Sequence, residues 1–133
     1  NTMVALDQIR RVLDELRGAD LALVGVGTLE DSIFLVRRAV DQTTLSELVN
    51  AGGVGETCGH FYDAAGCDCI HPHRERVAGI ELDWLRAIPN VVGVVTGEDR
   101  AQAVLSGIRG GIYKSLVTNS ALARRLLELA KSS

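Results

Sequence analysis

Apolar residues in the first part of the chain follow two different spacings. From Thr2, a candidate N-cap, they recur at helical spacing as far as a break at Gly18. The residues after Asp20 instead form a continuous apolar run that ends in Gly25-x-Gly27. Such a run is typical of a buried parallel strand that turns into a ligand-facing loop. The pattern therefore predicts a helix followed by a buried strand.

Two more helices are predicted ahead of the middle of the chain. One covers residues 31–39, and the other begins near Thr44 and ends at the Gly52-Gly53 pair. Thr44 and Glu47 have the spacing of a capping box, in which each side chain accepts from the backbone N–H of the other residue. Glycines commonly follow the last turn of a helix, so the Gly52-Gly53 pair marks its end.

The segment that follows has the pattern of a β-hairpin. Residues 55–62 and 67–70 flank the turn-forming sequence Asp63-Ala-Ala-Gly66, which predicts two antiparallel strands with a four-residue connection. A further short strand is predicted over Arg76–Ile80. A helical turn is predicted over Asp83–Ala87, and Pro89 ends it.

The last third of the chain alternates between strand and helix. Strands are predicted over Asn90–Gly97 and Tyr113–Thr118, and the helices Glu98–Ile108 and Ser120–Lys131 follow them. This alternation implies a parallel sheet with right-handed crossovers. We therefore predict an α/β fold with a Rossmann-like three-layer parallel sheet. The hairpin would be an insertion or an antiparallel edge, and one domain would span residues 1–133.

Composition and charge exclude several classes of protein. The formal net charge is -3 and no lysine or arginine tract occurs, so the chain lacks the electrostatic footprint of a DNA-binding surface. Apolar runs such as Val91–Val95 are too short to span a bilayer, and no signal-peptide pattern opens the chain. Three clustered cysteines are too few for a disulfide scaffold. We expect a cytoplasmic protein without membrane contacts.

Two loops are candidates for ligand binding, because ligands of an open parallel sheet lie beyond the carboxyl ends of its strands. These loops are Gly25–Thr28 and Thr96–Arg100. Glycines let the backbone approach a ligand closely, and a helix N-terminus favours an anion. Arg100 opposes the macrodipole of its predicted helix, a conflict that a bound anion would remove. The alternative is a plain βα turn beside a solvated arginine.

Other charged residues give weaker indications of a binding site. Arg37 and Arg38 point about 100° apart on their predicted helix, so at most one faces a pocket and both could be solvated. Arg74 and Arg76 would share one side of a strand, where they could grip a phosphate or line an edge. The acids near the predicted mouth suit hydrogen bonds to sugar hydroxyls; they are Glu30, Asp31, Glu56, Glu98 and Asp99.

Cysteines and histidines cluster around the predicted hairpin. With Tyr62 opposite Cys67 and His60 opposite Cys69, six potential ligands would crowd one face: Cys58, His60, Cys67, Cys69, His71 and His73. Thiolate and imidazole ligands suit zinc, although small cysteines also pack as buried apolar residues. The Cys-x-Cys spacing departs from usual zinc patterns. We therefore assign no metal and no cofactor, and a zinc-binding module stays an alternative.

An enzyme is the other alternative. An enzyme that acts on a polar ligand needs a positioned acid/base pair beside that ligand. The sequence offers Glu56 and Glu98 but no partner that the pattern can place, and it contains no Gly-x-Ser-x-Gly elbow. We therefore assign no catalytic residue.

Three blocks of the sequence resemble the effector domain of the SorC/DeoR-type bacterial transcription regulators. They are ADLALVGVGTLEDS, GGVGETCGHFYDAAG and the long block that runs from RVAGIELDWLRAIPN to SALARRLLE. The resemblance extends from about Ala19 to Glu128, in the same order and with similar spacing. The last block is the most specific of the three.

The resemblance implies a fold similar to sugar isomerases and CoA transferases, a phosphorylated sugar as effector, and no enzymatic activity. The enzyme that stays an alternative is a sugar-phosphate isomerase or lactonase on this related fold. The resemblance also implies dimers or tetramers. DNA would be bound only by an N-terminal helix-turn-helix, which we expect to lie outside this chain together with the first half of the sensor domain. Carried over by motif, the ligand-binding residues are Gly25, Gly27, Thr28, Arg37, Arg38, Glu56, Arg76, Gly97, Glu98 and Arg100.

The chain departs from the family pattern at Arg100, where the family has lysine. Arginine keeps the positive charge and presents a planar fork of donors. The departure is therefore compatible with phosphate binding but excludes imine chemistry at this position.

Overall fold

The computed structural model describes residues 5–31, 42–71 and 74–132 of the 133-residue chain. The helices are α1 (Asp7–Arg17), α2 (Gln42–Asn50), α3 (Leu82–Ala87), α4 (Ala101–Arg109) and α5 (Ser120–Lys131). The strands are β1 (Leu21–Gly25), β2 (Gly53–Thr57), β3 (His60–Asp63), β4 (Asn90–Val94) and β5 (Ser115–Val117). Two short 3-10 helices, Arg74–Arg76 and Glu98–Arg100, complete the described elements.

A three-stranded parallel sheet organises the fold, with strand order β1-β4-β5. Leu21 pairs with Asn90 at one end of the β1–β4 ladder and Gly25 pairs with Val94 at the other. The carboxyl ends of these strands therefore meet at one edge of the sheet. The predicted α/β class, the parallel sheet of the last third and an antiparallel hairpin are confirmed.

One face of the sheet carries the main core. Val91 of β4 lies in a buried cluster with Val104 of α4 and Leu122 of α5, and all three are fully buried. On the opposite face the apolar side chains are exposed; they are Leu21, Leu23, Val94 and Val117. Parallel sheets are normally covered on both faces, so this surface is suited to further polypeptide.

The hairpin turns earlier than the sequence predicts. β2 and β3 pair directly around Cys58 and Gly59, which have φ values of 52° and 86°. Positive φ at both central residues is the geometry of a tight type I′ turn. The predicted turn at Asp63–Gly66 exists as a second turn, after which a single bridge joins Tyr62 to Asp68.

The predicted strand over Arg76–Ile80 is wrong. Residues 74–76 form a 3-10 helix, and residues 77–80 follow without regular structure. Arg74 is held by ion pairs to Asp68 and Glu81, at 2.7 and 2.8 Å. Because these contacts draw the chain into a compact turn, it does not extend along a neighbouring strand.

The predicted capping box at Thr44 is also wrong. The described part of α2 already begins at Gln42, so Thr44 lies inside the helix, where its side chain is buried. The helix ends near the predicted Gly52-Gly53 pair. The helix predicted over residues 31–39 lies, except for Asp31, outside the described residues.

Two tyrosines join the hairpin to the main core. The hydroxyl oxygens of Tyr62 and Tyr113 are 2.9 Å apart, and the Tyr62 hydroxyl also donates to the carbonyl of Ala103 at 3.1 Å. A Cβ atom at Gly107 would lie 2.2 Å from the Tyr113 ring, and one at Gly55 would lie 2.5 Å from the Tyr62 ring. Glycine at both positions therefore makes room for the aromatic rings.

Among the residues that the structure describes, no helix combines the length and apolar character needed to cross a bilayer.

Replacing Gly107 with alanine should destabilise the chain, although alanine normally stabilises a helix by up to about 1 kcal/mol relative to glycine. The added methyl group would overlap the Tyr113 ring, and such overpacking costs about 1–3 kcal/mol. Urea unfolding measures the difference. Gly18→Ala is the control and should stay within about 0.5 kcal/mol of wild type, since the nearest atom to its Cβ is 3.6 Å away. A G107A variant as stable as wild type would contradict this packing.

Candidate functional site

The hairpin is attached to the carboxyl end of β1 by three hydrogen bonds. Gly27 and Glu56 exchange both of their backbone hydrogen bonds, at 2.8 and 2.9 Å, and form an antiparallel bridge. The Thr57 hydroxyl donates to the carbonyl of Gly25 at 2.7 Å. These bonds place the second strand pair directly over the first predicted ligand loop.

The Glu56 carboxylate lies against this loop. Its Oε1 accepts from the backbone N–H of Gly59 at 2.9 Å, and its Oε2 would lie 3.0 Å from a Cβ atom at Gly27. Glycine at position 27 therefore leaves room for the carboxylate. Burial raises the pKa of Glu56 above its ordinary value of 4.5, and the Gly59 hydrogen bond opposes this shift.

Arg100 reaches the same place from the loop after β4. Its Nη2 lies 3.1 Å from Oδ2 of Asp31, and its Nη1 donates to the Thr96 carbonyl at 3.2 Å. Its Nη1 also lies 3.4 Å from Asp99. The guanidinium therefore bridges the loops that follow β1 and β4.

Gly97 makes this placement of Arg100 possible. Its φ is +101°, and an added Cβ atom would lie 2.5 Å from Oδ1 of Asp99 and 2.8 Å from Nη1 of Arg100. A residue with a side chain would be strained in this conformation and would collide with both groups. Gly97 is thus a positioning residue and does not itself line the cavity.

These groups surround a cavity of about 300 Å³, lined by Gly25, Val26, Gly27, Asp31, Glu56, Cys58 and Arg100. Four of the predicted ligand-binding residues meet there: Gly25, Gly27, Glu56 and Arg100. The cavity combines a guanidinium donor with two carboxylate acceptors. Such a set can bind an anionic group and hydroxyl groups of one small polar ligand.

Sequence reasoning did not assign Val26 and Cys58 to the site. Val26 lies between the two glycines of the predicted loop, so the prediction of this loop could have identified Val26 as a cavity residue. Cys58 lines the cavity because the hairpin turns at this residue, which no pattern in the sequence indicated. Cys58 is exposed as a residue, but desolvation of its thiol at the cavity wall raises the pKa of that thiol, which makes it a weaker nucleophile than an ordinary cysteine.

Thr28 lines a neighbouring cavity of about 310 Å³ instead of the first one. The lining of this second cavity comprises Thr28, Leu29, Glu30, Val49, Gly53, Val54, Asp99, Gln102 and Ala103. The Thr28 hydroxyl accepts from the backbone N–H of Asp31 at 3.1 Å. Thr28 therefore helps to fix the backbone of Asp31, which lines the first cavity.

The remaining predicted site residues do not line the first cavity in the described structure. Glu98 is exposed at the start of its 3-10 helix. Arg76 is exposed on the 3-10 helix after the second turn, where the predicted strand that would have directed it toward a ligand is not formed. Arg37 and Arg38 lie outside the described residues.

The predicted cysteine and histidine cluster is not formed as expected. Tyr62 pairs with Asp68 and not with Cys67, so the register is shifted by one residue. Such a shift moves alternate side chains to the opposite face. Cys67 is exposed and Cys69 is buried in a small core with Phe61. His73 lies outside the described residues.

Comparison with protein families gives one match that covers nearly the whole chain. The family model described as "Putative sugar-binding domain" matches residues 1–128. The chain belongs to this sugar-binding domain family. The match agrees with the resemblance stated from the sequence.

Curated relatives of this chain include bacterial transcriptional regulators. The chain is 32% identical over 127 residues to the transcriptional regulator LsrR of Enterobacter sp. (strain 638), with 92% of this chain and 39% of the relative covered. It is 33% identical over 124 residues to LsrR of Escherichia coli K12, with 90% and 39% covered. The chain thus spans about two fifths of the length of these curated relatives, which are named as transcriptional regulators.

Solved structures agree with this family membership. The "Putative Sugar-Binding Domain of Transcriptional Repressor" from Vibrio fischeri matches with a TM-score of 0.88 and 31% identity, over 98% of this chain and 53% of the other. The full-length sorbitol operon regulator SorC from Klebsiella pneumoniae matches with a TM-score of 0.85 and 24% identity, over 96% and 41%. The second likeness concerns the fold alone.

Glu56→Gln should change how the stability of this domain depends on pH. Because the native pKa of Glu56 is raised above 4.5 by burial, the folded chain binds this proton more tightly than the unfolded chain does. Wild type therefore loses stability relative to E56Q as pH rises from the unfolded-state pKa through the higher native one. At pH values above the native pKa of Glu56, the difference in unfolding free energy between wild type and E56Q is constant. Urea unfolding between about pH 4 and pH 8 measures it.

Glu47, exposed on α2, provides the control for this experiment, since Glu47→Gln should follow the wild-type curve. A stability difference between wild type and E56Q that does not change with pH would contradict the buried, ionisable carboxylate.

Proposed function

We propose that this chain is part of the effector-sensing domain of a bacterial transcription regulator and that its first cavity binds a phosphorylated sugar. The observation that carries the proposal is the meeting of Gly25, Gly27, Glu56 and Arg100 around one cavity. Membership of a sugar-binding domain family and similarity to the LsrR regulators support it. Residues 1–133 would form the C-terminal part of one domain.

The chemistry of the cavity suits different parts of such a ligand. Glu56 and Asp31 offer carboxylate oxygens that accept hydrogen bonds from sugar hydroxyls. Arg100 offers a fork of N–H donors that matches phosphate oxygens in a bidentate geometry. A small number of placed polar groups usually fixes the orientation of a ligand in a small-molecule site, and here Arg100, Glu56 and Asp31 are such groups.

The phosphate would compete with Asp31 for Arg100. That ion pair has partly exposed side chains, at 29% for Arg100 and 51% for Asp31, and such exposed pairs contribute only about 0–1 kcal/mol. A sugar phosphate carries close to two negative charges and offers more acceptor oxygens than one carboxylate. Displacement of Asp31 from the guanidinium therefore costs little compared with the new bonds.

The regulatory mechanism would be a population shift. A sugar phosphate that bridges the β1 and β4 loops stabilises the arrangement in which these loops approach each other. A helix-turn-helix elsewhere in the longer protein would then bind DNA with altered affinity, through thermodynamic coupling between the two sites. The whole assembly would be a cytoplasmic homo-oligomer.

Arg100→Gln should abolish most of the binding of sugar phosphates. The variant loses the charge-assisted hydrogen bonds to phosphate, each worth about 1.5–3 kcal/mol, or about ten- to a hundredfold in affinity. Calorimetric titration with a panel of hexose and pentose phosphates, and with the unphosphorylated sugars, measures the effect on the 133-residue chain.

Arg109→Gln is the matched control, because Arg109 is exposed on α4 and does not line the first cavity. It should bind as wild type does. The proposal is wrong if no sugar phosphate in the panel binds at millimolar concentration, or if R100Q and R109Q bind the same ligand equally well.

A further inference from the structure

A second group of polar side chains lies on the other strand of the hairpin, outside the cavity just described. The Tyr62–Asp68 bridge places Asp68 on the same face as Tyr62, and strand alternation places His60 on that face too. Glu81, at the residue that precedes α3, completes the group. One potential ligand atom from each of His60, Asp68 and Glu81 lies within 4.8 Å of the other two.

Buried polar atoms in this group lack hydrogen-bond partners. The His60 side chain is only 1% exposed, and neither Nδ1 nor Nε2 has a partner among the described residues. Oδ1 of Asp68 is likewise buried without a partner in the described structure. A buried polar atom that has given up its water needs another partner to offset the lost solvation. These atoms therefore require a further partner, which is either a bound ion or an ordered water.

Arg74 forms ion pairs with one carboxylate oxygen of Asp68 and one of Glu81. Its Nη2 lies 2.7 Å from Oδ2 of Asp68 and 2.8 Å from Oε2 of Glu81. The guanidinium compensates part of the negative charge but forms no bond with His60. An ion-pair network of Arg74 with the two acids thus explains their proximity and leaves the imidazole unexplained.

We propose that His60, Asp68 and Glu81 form a binding site for a divalent transition-metal ion of the zinc class. Imidazole together with carboxylate oxygens is a ligand set that such ions accept, with water in the open positions. Ligand atoms around zinc lie about 3.3 Å apart, given bonds of about 2.0–2.1 Å in a tetrahedron. The three candidate ligand atoms lie within 4.8 Å of one another, so an ion bound between them would draw them closer.

The protonation state of His60 agrees with this role. Burial lowers the pKa of His60, and Arg74 lowers it as well, whereas Glu81 and Asp68 raise it. A lowered pKa keeps the imidazole neutral near neutral pH, with a lone pair available to a metal.

Of the six ligands considered from the sequence, His73 lies outside the described residues, and of the other five His60 belongs to this site. The two acids escaped notice because a hydrogen-bond register and the N-terminus of α3, not a sequence spacing, bring them to His60. His60 pairs with Thr57 on the neighbouring strand, and Thr57 binds Gly25 of the first cavity. A metal at His60 would therefore stiffen the same hairpin that carries Glu56.

Titration of the untagged chain with Zn²⁺, followed by calorimetry, tests the site. Cys58 and Cys67 are exposed and could bind zinc adventitiously, so both are replaced by serine in every variant. We expect about one equivalent of bound zinc. His60→Gln and Glu81→Gln should each weaken binding at least about tenfold, because each removes a ligand. E81Q keeps the test valid if H60Q does not fold.

Two further variants separate a metal site from a purely structural ion-pair network. Asp83→Asn changes an exposed carboxylate two positions from Glu81 and should bind zinc as the parent does. Arg74→Gln removes the competing cation and should tighten zinc binding by at least about threefold, since like charges repel at short range. A structural network alone predicts lower stability in R74Q without tighter metal binding.

Co²⁺ gives an independent view of the donor atoms. The parent should show visible d–d absorption without the near-ultraviolet band of a thiolate ligand, which excludes Cys69. The proposal is overturned if the parent binds less than about a tenth of an equivalent of Zn²⁺, if H60Q and E81Q bind it as the parent does, or if a thiolate band appears.

Discussion

The reciprocal hydrogen bonds between Gly27 and Glu56 are the constraint on which the candidate site depends. They attach a separate antiparallel hairpin to the carboxyl end of a parallel strand, and the Thr57 hydroxyl reinforces the junction at Gly25. Without this junction the Glu56 carboxylate would have no fixed position relative to Arg100, because the two residues belong to different sheets and loops. The cavity is therefore a property of how the hairpin docks, and neither sheet forms it alone.

Packing on the far side of the hairpin makes this docking rigid. The buried hydroxyl pair of Tyr62 and Tyr113 ties β3 to the main core, and glycines at 55 and 107 let both rings lie flush with the backbone. The two strands of the hairpin carry polar side chains on both of its faces. One presents Glu56 to the ligand loops, and the other holds His60 beside Asp68 and Glu81. A ligand on either face would restrain one shared element.

Much of this arrangement could be predicted from the sequence. The apolar run before Gly25 and the strand–helix alternation after Asn90 indicate parallel strands, whose carboxyl ends must share an edge. The loops at Gly25–Gly27 and Gly97–Arg100 were therefore expected to meet. Glu56 was expected near the mouth as one of several acids and was carried over by the family motif, but no local pattern places the hairpin above that edge. The hairpin turn was missed because Cys58, a residue with a side chain, adopts a left-handed conformation that propensities disfavour. A separate error of one residue in the register after the second turn, where Tyr62 pairs with Asp68, misplaced Cys67 and Cys69 relative to β3.

Backbone amide chemical shifts, followed while a sugar phosphate is added to isotopically labelled protein, test the central claim most directly. The account predicts that the largest changes fall on Gly25, Gly27, Glu56 and Gly59 and on residues 97–100, which are distant in sequence but surround one cavity. It also predicts that the exposed sheet face at Leu23 and Val117 stays unchanged. Changes confined to that apolar face, or scattered over α5, would contradict the assignment of the site.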